Sequence, residues 1–309
     1  MALLNLRSLN KLDLNLDLLI PPKFNNPENR LFINKIVAGI LNVAVSSSLI
    51  AIFLTYMLSN NTSTYIGLIV IISALSVYNI FLFGVLVYSN HNKVYLKQPK
   101  VTDNQLNDIY HYEFCESCES FKLNRTHHSK KLNCCIYKFD HFCKWLGVAI
   151  NYGNYKLFLQ FIVLNILNCL IIFVLSLYRL IMQRKWLGLS IMYLAISAIF
   201  ILTLSSLLSV HIRLIYSNET TIEFLNYRWL HKHDKQNEII YNPILKIDGK
   251  LTYIGIKDAK KVYQRNDVWG NIKDALGPLN ITLFLPTLNN FQTLNLEISD
   301  KLKQQYNFI

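Results

Sequence analysis

Four long apolar stretches dominate the chain, at Ile36–Leu58, Tyr65–Tyr88, Leu157–Ile181 and Leu187–Val210. Each is long enough for a helix rising about 1.5 Å per residue to cross a hydrocarbon layer about 30 Å thick. The uncharged run Ser59–Thr64 joins the first two into a predicted transmembrane hairpin, and a short basic loop around Arg184-Lys185 joins the last two. A polar segment separates the pairs. The pattern therefore divides the chain into an N-terminal segment (1–35), spans one and two (36–88), a central domain (89–156), spans three and four (157–210) and a C-terminal region (211–309). Polar residues within the spans, Asn42, Ser46 to Ser48 and Asn79, either line a cavity or hydrogen-bond neighbouring helices, and the second reading is preferred. Phe158, Phe161, Asn165 and Asn168 recur at three- and four-residue intervals and share one helix face, as plain packing or as the lining of a channel.

Composition strengthens the membrane reading: 52% of the 309 residues are hydrophobic and only 16% are charged. Lys and Arg gather before Ile36, in the central domain and in the C-terminal region, which predicts that all three, and both termini, face the cytosol. Arg179, Arg184 and Lys185 oppose this mildly. The net charge of +12 does not call for a nucleic-acid partner, because basic cytosolic segments follow from orientation and anionic lipid. The spans lack the ionisable residues that mark ion or proton pathways, which argues against a transporter or channel. The N-terminal leucines are broken by Asn, Asp, Lys and Arg, so no signal peptide is predicted. A short amphipathic surface helix ending at Pro21-Pro22 and a frayed tail both fit.

Five of the six cysteines lie between Cys115 and Cys143. Cys115-x2-Cys118 is the usual first half of a tetrahedral zinc site, because that spacing lets two sulfurs converge. His127-His128, Cys134-Cys135 and Asp140-His141-Phe142-Cys143 follow. Cytosolic thiols stay reduced, so these cysteines serve metal binding and catalysis rather than disulfides.

These residues resemble the DHHC cysteine-rich domain of membrane-bound protein S-acyltransferases, the palmitoyltransferases. That family's pattern runs C-x2-C, K-P-x-R, H-C-x2-C-x2-C, D-H-H-C-x-W and N-[YH]-x2-F. Cys115, Cys118, Lys122, Arg125, His128, Cys135, Asp140, His141, Cys143, Trp145, Asn154, Tyr155 and Phe158 stand at the family spacings. Thr220-Thr221-Ile222-Glu223 resembles the T-T-x-E motif that buttresses the catalytic loop, and Tyr263, Trp269, Asn271 and Gly277 resemble a C-terminal motif that packs on the domain. The Cys/His departures and the abundance of Asn, Ile and Lys suggest a divergent fungal member.

The resemblance implies an all-α polytopic membrane protein: four transmembrane helices, with a small zinc-stabilised cytosolic domain between helices two and three. Of the family's two zinc sites, Cys115, Cys118, His128 and Cys135 complete the first; Cys134 is an alternative to Cys135 that the register disfavours. The second would need ligands at Ser129, Leu132, Phe142 and Ala149, and none can serve. One structural zinc is expected, with apolar packing replacing the other and Phe142 as filler.

The implied activity is transfer of palmitoyl or a similar acyl group from CoA to cysteines of membrane-associated proteins. Cys143 would be the nucleophile, His141 the base and Asp140 its orienting group. Lys144 beside Cys143 would favour the thiolate. Lys122 and Arg125 would hold CoA phosphates, Trp145, Phe158 and Phe161 would contact the acyl-CoA, and Asn165 and Asn168 would lie deeper along the acyl chain. Thr221, Glu223 and Asn271 would give structural support. The alternative is a catalytically inactive membrane adaptor that binds client proteins or lipids.

Overall fold

The computed structural model describes residues 66–91, 113–183, 187–233, 240–247, 250–255 and 261–289, together with Gly39, Lys100 and Thr102. Apart from Gly39, the predicted first span lies outside the described residues, as do the N-terminal segment and the tail beyond residue 289. Three described helices are long and apolar enough to cross a membrane. They are α1 (Ile66–His91), α2 (Tyr155–Tyr178, continued by a π turn over Arg179–Gln183) and α3 (Leu187–Ser217).

The helices pack through one apolar cluster built from Leu82 and Leu86 of α1 and Leu157, Phe158, Ile162 and Leu164 of α2. Leu146, Val148 and Ile150, from the cysteine-rich segment, complete that cluster, so this segment rests directly on the helices. Asn79 and Asn165 exchange two side-chain hydrogen bonds between α1 and α2, at 3.1 and 3.2 Å. This interhelical pairing is the reading preferred for Asn79 in the sequence. Helix α3 buries only 11% of its most apolar window within the protein. The rest of that surface needs a lipid solvent.

The cysteine-rich segment is not helical. It is three short antiparallel hairpins in succession: β1 (Phe114–Cys115) with β2 (Ser120–Phe121), β3 (His127–Ser129) with β4 (Cys134–Ile136), and β5 (Phe139–Cys143) with β6 (Val148–Asn151). The all-α expectation is corrected for this segment: the ligands come from two successive hairpins, whose sharp bends bring Cys115 and Cys118 towards His128 and Cys135. Glu119, Arg125, Asn133 and Lys138 take the left-handed backbone conformation at the bends.

Helix α4 (Thr221–His233) follows α3 after a three-residue corner, and α5 (Val268–Leu276) leads into a 3-10 turn over Ile281–Leu283. Between them runs an unpredicted hairpin, β7 (Ile240–Ile247) with β8 (Lys250–Gly255), in which Ile247 pairs with Lys250. The two residues separating that pair in the sequence are Asp248-Gly249, a strong hairpin signal. The 3-10 region is stitched to the first turns of α2: Gln160 donates to the Leu283 carbonyl at 2.6 Å and Lys156 to the Thr287 hydroxyl at 2.9 Å.

Candidate active site and metal centre

The hairpin turns bring four soft ligands together. The ligand atoms of Cys115, Cys118, His128 and Cys135 all lie within 4.8 Å of one another. His128 Nδ1 stands 3.5, 3.3 and 4.0 Å from the sulfurs of Cys115, Cys118 and Cys135. A tetrahedral zinc ion bound at about 2.3 Å to sulfur and about 2.0 Å to nitrogen separates such atoms by about 3.5 Å, so the set fits the metal. Burial, with Lys122 and Lys130 nearby, lowers the His128 pKa and keeps the imidazole neutral, as a ligand must be. Cys134, the alternative ligand, points elsewhere and is buried in an apolar cluster.

That cluster takes in three of the four positions that the resemblance assigns to a second metal site. Leu132 and Ala149 lie in it with Cys134, Ile136 and Phe139, and Phe142 and Ile222 pack against it. Phe142 and Ala149 face each other across the β5–β6 ladder, and Ser129 opposes Cys134 across β3–β4. Four positions that could have surrounded an ion are thus drawn together by apolar contact and strand pairing.

The β5 strand then presents Asp140, His141 and Cys143. Asp140 Oδ2 is 2.6 Å from His141 Nδ1. The Thr221 amide donates to Asp140 Oδ1 at 2.7 Å and the Thr221 hydroxyl to Oδ2 at 2.8 Å. Burial raises the Asp140 pKa, but His141 and the Thr221 amide outweigh it and hold the carboxyl below its ordinary value. Burial likewise lowers the His141 pKa, yet the hydrogen bonds to Asp140 and Cys143 overcome it and raise it to about 10. The arrangement sets a cysteine, an imidazole that holds its proton firmly and an ionised carboxylate in line.

Thr221 reaches Asp140 because the start of α4 is fixed twice. The Thr220 amide donates to Glu223 Oε2 at 2.7 Å and the Glu223 amide donates to the Thr220 hydroxyl at 3.2 Å, a capping box. Glu223 also receives Arg125 Nε at 2.8 Å and Nη2 at 2.7 Å.

That ion pair corrects the expectation for Arg125. Its guanidinium is 1% exposed, lies over the Tyr263 ring at 4.4 Å, and gives its remaining donors to Asn218. Buried and committed, it is not placed to take CoA phosphates. Lys122 is different, since it holds only a 2.9 Å bridge to a largely exposed Glu113.

Asn218, which the sequence did not single out, is the hub between domain and tail. It ends α3 in the left-handed conformation, a position that suits Asn. Its side chain accepts from Arg125 at 3.1 Å and Lys138 at 3.4 Å, and donates to the Tyr263 carbonyl at 2.7 Å and Asp274 at 3.2 Å. Asn271 fastens the same region, donating to the Tyr216 carbonyl at 2.9 Å and accepting from the Arg265 amide at 2.6 Å. Lys138 reaches the Asp274 carbonyl from a buried site, and burial pushes its pKa well down.

The predicted acyl-contacting residues divide. Phe158 is 3% exposed and meets His141 edge to face at a centroid distance of 5.5 Å. Phe161 packs partly buried, 6.2 Å from the Phe83 ring. Trp145 stands 69% exposed beside the β5–β6 turn. Asn165 is saturated by Asn79 and the Phe161 carbonyl, whereas the fully buried Asn168 amide has no hydrogen-bond partner among the described residues.

Comparison with known proteins agrees with this geometry. The family model for the DHHC palmitoyltransferase matches residues 108–228. The chain is 31% identical over 179 residues to palmitoyltransferase PFA5 of Kluyveromyces lactis, covering 57% of this chain and 50% of that protein. It is 38% identical over 120 residues to palmitoyltransferase ZDHHC15A of Danio rerio, 37% of each chain. A shorter stretch of 48 residues, 16% of this chain and 13% of the relative, is 52% identical to palmitoyltransferase PFA5 of Saccharomyces cerevisiae. The chain thus spans half or less of the length of these curated relatives.

Proposed function

We propose that the chain, whose residues 108–228 match the family model for the DHHC palmitoyltransferase, is a member of that family and a protein S-acyltransferase that moves a long-chain acyl group from CoA to cysteines of membrane-associated proteins. The observation that carries this reading is the Asp140–His141 pair at 2.6 Å, bonded onward to Cys143 and braced by Thr221. His141 already holds the proton given up by Cys143, and Asp140 stabilises that imidazolium before the donor arrives. The Cys143 sulfur attacks the thioester carbonyl, the bond to the CoA sulfur breaks, and the departing thiolate takes the proton from His141. An acceptor cysteine then gives its own proton to His141 and attacks the acyl-Cys143 thioester, which returns Cys143 to its starting state.

Four spans, with the cysteine-rich domain and both termini on the cytosolic side, place Cys143 where acyl-CoA arrives. One zinc ion held by Cys115, Cys118, His128 and Cys135 acts as a structural clamp on the first two hairpins and takes no part in the transfer. Lys122 meets the CoA phosphates by exchanging Glu113 for them, Trp145 and Phe158 hold the start of the acyl chain, and Asn168 sits towards its end. An Asn168→Ala variant is expected to change the preferred chain length, and unchanged selectivity across acyl-CoAs would remove that assignment.

The test of the whole reading is incubation of the purified protein with a clickable palmitoyl-CoA analogue. Hydroxylamine-sensitive label is expected on the wild type and absent from Cys143→Ser and His141→Ala. A folded, zinc-bound wild type that takes no label would overturn it in favour of an inactive adaptor.

A further inference from the structure

His211 lies within the apolar helix α3, six residues before its end, and is 2% exposed. It belongs to a cluster of four rings drawn from three elements. Its centroid is 6.0 Å from His141 on β5, and 5.1 Å from Phe158 and 5.6 Å from Tyr155 on α2, the last two edge to face. The Tyr155 hydroxyl and His211 Nδ1 are hydrogen-bonded at 2.9 Å. Phe158 in turn meets His141 edge to face at 5.5 Å.

This placement bears on how the base is held. A single hydrogen bond from Nδ1 to Asp140 fixes one point of the His141 ring and leaves it free to pivot about that point. The Nε2 side must still be kept aimed at its target within about 0.5 Å for efficient transfer. Phe158 and His211 stand against the ring and remove that freedom. A polar imidazole inside an apolar span is costly unless it is bonded, and the Tyr155 hydroxyl supplies the bond and also fixes the ring's angle.

We propose that His211, locked by Tyr155, is a positioning residue for the general base, forming with Phe158 a clamp that keeps the His141 imidazole directed at Cys143. The proposal rests on the acyltransferase reading for its purpose. Its test does not, because the nucleophilicity of Cys143 towards a small alkylating agent depends on His141 whether or not acyl-CoA is the natural donor.

The rate of Cys143 alkylation by iodoacetamide, followed by mass spectrometry of the Cys143 peptide, is the first readout. The kcat and KM of acyl-enzyme formation with palmitoyl-CoA are the second. In His211→Leu, alkylation is expected to slow about tenfold, and kcat to fall by a similar factor with KM within about twofold of wild type. His211→Phe, which keeps a ring against His141, should recover part of the loss. In a His141→Gln background, His211→Leu should change nothing further, since its effect passes through that ring. Wild-type alkylation in His211→Leu, or an equal further loss in the His141→Gln background, would overturn the proposal. Should His211→Leu fail to fold, Tyr155→Phe decides: the ring is present but unlocked, several-fold slower alkylation supports the clamp, and no change refutes it. A wild type that alkylates rapidly yet takes no palmitoyl group would defeat the acyltransferase reading and leave the clamp standing.

Discussion

Two buried contacts carry the greatest consequence per residue. Thr221 gives Asp140 both of its donors from outside the β5 strand. A Thr221→Val variant keeps the backbone donor and the shape but loses the hydroxyl. We expect kcat for acyl-enzyme formation to fall about tenfold to a hundredfold with little change in KM, measured by single-turnover labelling. Arg125 is the second. Removing one partner of a buried, hydrogen-bonded ion pair leaves the other charge uncompensated, at a cost of about 3–5 kcal/mol. Arg125→Met should therefore lower the melting temperature sharply while leaving the affinity for CoA, measured on folded protein, unchanged; a loss of CoA affinity alone would restore the phosphate-binding role. The sequence carried Asp140, His141 and Cys143 in four adjacent positions, where spacing alone suggests the chemistry. It misdirected the reading of Arg125, because a basic residue in a motif does not disclose its partner, and Glu223 stands 98 positions away. Lys138, His211 and Asn218 were silent for the same reason: their partners belong to other elements.

At the level of elements, the hairpins gather four soft ligands in one place and apolar side chains in another. The first site gathers its ligands from the β1–β2 and β3–β4 hairpins. An apolar cluster joins β4, β5, β6 and, through Ile222, helix α4. This cluster ties the strand that bears Asp140, His141 and Cys143 to the helix that bears Thr221 by packing alone. Metal analysis should find one zinc per chain, and two would refute the single-site reading. Cys135→Ala should abolish retention of that ion, whereas Cys134→Ala should leave it bound and only weaken packing by about 1 kcal/mol. The cluster of Cys115, Cys118, His128 and Cys135 and the long apolar helices were readable because each depends on local spacing or on composition. The strand character of the domain was not, since strands of two to five residues are too short for alternation to register. The β7–β8 hairpin was readable at Asp248-Gly249 and went unread beneath the membrane pattern.

The described residues join an apolar helix bundle to a polar domain through the candidate catalytic residues themselves. Val148 and Ile150 enter the helix core, Phe158 and His211 meet His141, and Asn218 and Asn271 fasten the C-terminal elements to the end of α3. Protonation at the site should for that reason be felt in global stability. The His141 pKa is raised to about 10, from about 6.5 in an unfolded chain. A raised value means that the folded state holds this proton more tightly. The resulting stabilisation is complete below about pH 6.5, declines above it, and is gone once pH has risen through about 10. Asp140 works in the opposite sense: its lowered pKa contributes stability above about pH 3.9 that is lost as pH falls further. The difference in melting temperature between wild type and His141→Gln should accordingly be steady from about pH 5 to 6.5 and shrink steadily towards pH 10. Because groups remote from His141 titrate equally in both proteins, the difference isolates the site. A gap that widens on the alkaline side would mean that His141 is neutral in the folded protein, and that Asp140 orients the base without holding its charge.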